Sequence, residues 1–114
     1  MATFVYLYRS NLTTLRSLSP QQMQETMNKW MTWMESLQKT GNLKARGDRL
    51  DGTGKILSGK SKTVSDGPFA EAKDAVGGYS LIEARDLAHA VELAKGCPIF
   101  ENDGAVEVRP ILSM

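Results

Sequence analysis

The segment SPQQMQETMNKWMTWMESLQKTG, residues 19–41, constrains the fold more than any other stretch of this chain. Ser19 is a helix cap, Pro20 suits the first helical position, Gln22 completes a capping box, and Gly41 stops the run. The helix between them is about 20 residues, or roughly 30 Å, long. Met23, Met27, Trp30, Met34 and Leu37 recur at steps of three and four, with Met31 and Trp33 on the shoulders. A stripe this broad and long has to lie on a sheet or on a partner. The primary reading is core. A second reading is cavity lining, because Met adapts to irregular shapes and Trp joins an apolar body to a single donor.

Strands are expected on both sides of that helix. Phe4 to Tyr8 is rich in aromatic and β-branched residues and reads as the first, and Asn11 to Leu18 reads as a linker. The glycine-rich and charged middle, GNLKARGDRLDGTGK, suggests a short or bulged strand at Asp48 to Leu50, with Lys44 to Arg46 as an extension. Lys55 to Leu57 and Lys62 to Ser65 read as two strand pieces about a bend at Gly59. Gly78 to Ala84 is the clearest inner strand: Tyr79, Leu81 and Glu83 face one way, and Ser80, Ile82 and Ala84 the other. A second helix runs from an Asp86 cap to Lys95, burying Leu87, Ala90, Val91 and Ala94. It ends at Gly96, and Pro98 prevents continuation. A final strand carries Val106 and Val108 on one face, Glu107 and Arg109 on the other.

The resulting order, β-α-β-β-α-β, is met most economically by an α+β, ferredoxin-like subunit with both helices on one face of an antiparallel sheet. At 114 residues, 41% hydrophobic, 24% charged and a formal charge of +1, one domain spanning 1–114 is expected. The uncovered sheet face then needs a second subunit, since exposed apolar sheet is a liability. Two such sheets face to face enclose a barrel-like interior, so a homodimer is expected.

Several functions are set aside on composition. The start, MATFVYLYRS, lacks the apolar length and basic flank of a signal peptide, and nothing approaches the roughly 20 apolar residues of a membrane span. Cys97 is the single cysteine, consistent with a reducing, cytoplasmic setting. One histidine and one cysteine, without HExxH or CxxC, offer no metal site, and no cofactor motif is present. GTGK at 52–55 lacks the spacing of a phosphate loop, and the three lysines of KILSGKSK are too sparse to indicate nucleic acid.

At DGPFAEAKDAVGGYSLIEA and CPIFENDGAVEVRPIL the chain resembles the YCII-related family, specifically its DGPF-motif branch. The resemblance extends through GKILSGKSKTVS and covers nearly the whole chain. It implies a dimeric α/β barrel of ferredoxin-like subunits, in a family whose biochemical role is generally unassigned. It covers the turn Asp66-Gly67-Pro68-Phe69, then Glu71 and Lys73, the strand entry Gly77-Gly78, Cys97-Pro98, and Val106-Glu107-Val108-Arg109-Pro110. More distant members pair an aspartate with a histidine near the start of the first helix. Here that helix begins Pro20-Gln21-Gln22-Met23 and the only histidine is His89.

Within DGPFAEAKDAVGG, Asp66 suits turn amides, Gly67 and Pro68 shape the corner, and Phe69 can fold back as an apolar anchor. Asp66 and Glu71 are also the best acid or base candidates, because desolvation or a neighbouring charge can lift a carboxylate toward neutrality. Lys73 and Arg109 suit an anionic group, Arg109 having Glu107 as its alternative partner, and Phe69 and Tyr79 suit an aromatic one. His89 and Cys97 read as surface or packing residues. Two functions stand: a small-molecule enzyme using Asp66 and Glu71 in a dimer-associated cleft, with Phe69, Lys73, Tyr79 and Arg109 holding an anionic or aromatic substrate; or a noncatalytic ligand-binding or regulatory homodimer.

Overall fold

Alternation along Ala2–Ser10 builds the first strand, β1, with Phe4, Tyr6 and Tyr8 buried and the residues between them half-buried. The computed structural model describes residues 1–69 and 72–113. The expected linker after β1 contains a short helix, α1 (Leu12–Arg16). Asn11 accounts for it: its side-chain oxygen accepts from the amides of Thr13 and Thr14 at 3.0 and 3.2 Å, satisfying donors that a helix start leaves open. The long helix is α2 (Pro20–Lys39). Its capping box is closed in both directions, the Gln22 amide donating to Ser19 at 3.1 Å and the Ser19 amide to the Gln22 side chain at 2.8 Å.

The next strand, β2, is Leu43–Ala45, and no strand forms at Asp48 to Leu50. Gly47, at φ +73°, turns the chain between the two, leaving Arg49 with only an isolated bridge to Gly78. β3 (Lys55–Ser58) and β4 (Thr63–Asp66) pair with each other as a separate hairpin whose strand residues are all exposed. β5 (Ala75–Ala84), α3 (Leu87–Ala94), a 3-10 turn over Pro98–Asn102 and β6 (Ala105–Pro110) complete the chain.

The main sheet is open and antiparallel, in the order β2-β5-β1-β6. Three helices accompany it, making the fold α+β. The core gathers Phe4, Tyr6 and Tyr8 of β1, Ile82 and Ala84 of β5, Trp33, Met34 and Leu37 of α2, and Ala90 and Ala94 of α3. The Ser80, Ile82, Ala84 face of β5 is therefore the inner one.

Two expected helix faces are corrected. On α2, Trp33 is core rather than shoulder, while Met27 and Met31 are 37% and 52% exposed. The buried residues all lie in the second half of the helix, so its first half overhangs the sheet. On α3, Leu87 and Val91 are exposed and only Ala90 and Ala94 are buried. The Tyr6 hydroxyl donates to the Ala90 carbonyl, which draws α3 in along its alanine edge and leaves the larger side chains to flank the contact. No helix among the described residues is long and apolar enough to cross a membrane.

Gly47 provides a direct test of the turn. A Cβ there would lie 1.8 Å from the Tyr79 carbonyl oxygen, whereas Gly41, also at positive φ, has nothing within 4 Å. Both alanine variants incur the left-handed penalty, and only Gly47→Ala adds a clash. We expect Gly41→Ala to cost about 1 kcal/mol and Gly47→Ala roughly 3 kcal/mol or more. Urea midpoints followed by far-UV circular dichroism measure both, and equal losses would refute the close approach.

Candidate functional site

The overhanging half of α2 roofs a cavity of about 430 Å³, a size that suits a small molecule. Met23, Met27, Trp30 and Met34 of α2 line it, with Tyr8 of β1 opposite and the edge segment 46–52 along its rim. The methionine and tryptophan stripe thus serves both expected uses. Met34 and Leu37 belong to the core, Met23 and Met27 line the cavity, and Trp30 and Met34 lie where the two meet.

A polar chain fixes the floor. The Tyr8 ring meets Trp30 edge to face at 4.8 Å, and its hydroxyl donates to Ser80 Oγ at 2.8 Å. Ser80 Oγ donates in turn to the Arg46 carbonyl at 2.6 Å, fastening the rim to the sheet. Burial pushes the Tyr8 phenol far above its ordinary range, so this hydroxyl is a donor and not a base.

The rim lies close against β5. The Leu50 amide donates to the Gly77 carbonyl at 2.9 Å, and the Tyr79 amide to the Asp48 carbonyl at 3.3 Å. Gly78 permits this: a Cβ there would come within 2.9 Å of the Asp48 carbonyl oxygen. Gly78 thus relieves crowding where the strand meets the rim. Across this edge the Tyr79 hydroxyl donates to Asp48 Oδ2 at 3.0 Å, and the hydrogen bond, ahead of the Asp48 charge, raises the Tyr79 pKa.

The expected site residues are dispersed. Asp66 ends β4 with its side chain 84% exposed and paired with Lys55, and it does not line the cavity. Glu71 lies outside the described residues. Phe69 is 73% exposed, so it does not fold back as an anchor; Pro68, its neighbour in the motif, lines the cavity instead. Lys73 is exposed. Arg109 sits opposite Val5 in the register, on the face away from the helices, with Nε 3.8 Å from Glu107 Oε2. Among the expected residues that the structure describes, Tyr79 alone lines the cavity.

Arg46, Asp48 and Arg49 are rim residues that sequence reasoning missed. The available signal was ARGDR: a glycine between charged residues, with a glycine pair later in the chain for the segment to pack against. No group of three or more His, Cys, Asp or Glu side chains among the described residues is arranged to hold a metal ion. His89 Nδ1 accepts from the Arg85 amide at 3.1 Å, a local helix-start role. A family model for the YCII-related domain matches residues 1–114, and no curated protein matches the chain.

Cys97 is buried, and burial pushes its thiol up to about 12. Because the unfolded chain ionises this thiol near 9.0 and the folded chain does not, stability is whole below 9.0 and declines as pH climbs toward about 12. The buried phenols of Tyr6 and Tyr8 add to the decline only above their ordinary 10.0. We expect urea midpoints to fall between about pH 9 and 10, and Cys97→Ala to flatten that interval. An unchanged slope in the variant would show that burial of the thiol is not its cause.

Proposed function

We propose, from the premise that the chain belongs to the YCII-related domain family, that it is a homodimeric binding protein for a small, largely apolar molecule. The carrying observation is the 430 Å³ cavity roofed by methionine and tryptophan. Apolar walls with a few placed polar groups are the usual composition of a small-molecule site. Asp66-Gly67-Pro68-Phe69 supports placement in the DGPF-motif branch. The strand order β2-β5-β1-β6, with β3 and β4 as an insertion, supports a ferredoxin-like subunit.

The dimer reading rests on the sheet face away from the helices. There Val5 lies opposite Leu81, and Leu7 opposite Tyr79, an apolar strip only half-buried by the chain itself. The surface of 7788 Å² exceeds the roughly 6,200 Å² expected of a folded monomer of this length. Pairing two such faces is the dimeric α/β-barrel arrangement, and it accounts for surface that a lone subunit exposes. The single buried cysteine fits a cytoplasmic setting.

Enzymatic acid-base chemistry keeps one observation in its favour, the Tyr79–Asp48 pair at the cavity edge. That reading transfers the carboxylate role from Asp66 to Asp48. The occupant remains the same class of molecule, so binding is the first thing to establish.

Calorimetric titration with decanol and light scattering on the same sample test the proposal together. Decanol is expected to bind, and the solution mass is expected to be twice that of the chain. Trp30→Ala is expected to weaken binding by about tenfold or more through loss of an aromatic wall. Thr26→Trp, which fills the cavity from α2, is expected to abolish it with the fold retained, and Leu81→Arg to halve the mass. A protein that binds no apolar probe refutes the binding function, and a mass of one chain refutes the dimer.

A further inference from the structure

The guanidinium of Arg49 reaches α2 at the rim of the cavity and finds a poor partner there. Its Nη1 donates to Met27 Sδ at 3.5 Å, and no carboxylate among the described residues forms an ion pair with it. A thioether is a weak acceptor, whereas a guanidinium offers five donors in a fork shaped for a carboxylate. Its base is fixed, because Arg49 bridges Gly78 and the flanking Leu50 amide is bonded to Gly77. A preorganised cation with a weak partner exchanges that partner for an anion at little ordering cost.

The other rim charges narrow the class of anion. Asp48 accepts from the Tyr79 hydroxyl, and the Asp51 carboxylate accepts from the Thr53 amide and hydroxyl, each at 3.2 Å. Both acids already have N–H or O–H donors, whereas Arg49 has only the thioether. Their charges remain, however: Asp48 and Asp51 offset Arg46 and Arg49 on the same rim, so it carries no net positive charge to hold a dianionic head. A singly charged, planar head meets Arg49 with less repulsion.

We infer that the cavity takes an amphipathic monocarboxylate, its apolar body against Trp30 and the methionines and its carboxylate on Arg49 in place of the Met27 sulfur. The inference rests on the small-molecule reading of the cavity and names the ligand class for it. Arg49 replaces Lys73 and Arg109 as the anion anchor, because it alone of the three lines the cavity.

Calorimetric titration of the full chain with decanol, decanoate and decyl phosphate tests it. Decanoate is expected to bind about tenfold tighter than decanol, the gain of one charge-assisted contact. Arg49→Gln is expected to bring decanoate down to the level of decanol while leaving decanol unchanged, and Arg49→Lys to retain part of the difference. Circular dichroism checks that the variants fold. Equal binding of decanol and decanoate overturns the anchor but leaves the cavity reading standing. A loss that follows Arg109→Gln or Lys73→Gln instead of Arg49→Gln also overturns it, and tighter binding of decyl phosphate overturns the ligand class. If none of the three binds, both the anchor and the cavity reading fall.

Discussion

Four aromatic rings hold this chain together. Tyr6 stacks on Trp33 at 6.2 Å, Tyr8 meets Trp30 edge to face at 4.8 Å, and the two tryptophans contact each other at 5.7 Å. Each ring offers a large apolar body, and three of the four polar tips find partners on other elements. Tyr6 bonds to Ala90, Tyr8 to Ser80, and Trp33 Nε1 to the Leu93 carbonyl at 3.4 Å. The cluster thereby joins β1 to α2, α3 and β5 at once. Burying tyrosine and tryptophan is favourable only when such tips are satisfied.

The cavity follows from that anchorage. α2 is held through Trp33, Met34 and Leu37, so its first half extends beyond the aromatic contact and faces the cavity, with β1, β5 and the rim across it. Ser80 closes the arrangement by tying Tyr8 and the Arg46 carbonyl together in one chain of hydrogen bonds. Core and site share Tyr8, so a change that loosens one moves the other.

Charges on the far face of the sheet are organised by a different residue. Arg9 grips Asp74 with two bonds of 2.7 Å and also pairs with Glu107, drawing the loop end beside the glycine pair onto β1 and β6. Arg109 is left at 3.8 Å from the same glutamate, mostly exposed. In a dimer through this face those groups would lie at the boundary, where desolvation makes pairing matter more than at a free surface.

Local chemistry in the sequence determined the long helix and the first and last strands. Ser19, Pro20 and Gln22 specify a helix start whatever the surroundings, and the aromatic and β-branched run Phe4 to Tyr8 and the alternation in Val106 to Arg109 specify strands in the same way. Asn11 is an equally local cap, set in a stretch that reads as linker. Tertiary structure alone decided which half of the methionine stripe became core, and that ARGDR would fold back against Gly77 and Gly78 to make a rim. It also decided that Asp66 would lie on an outlying hairpin. The first two outcomes depend on contacts between residues about 20 to 60 positions apart, which periodicity and capping rules, acting over one or two turns, do not encode.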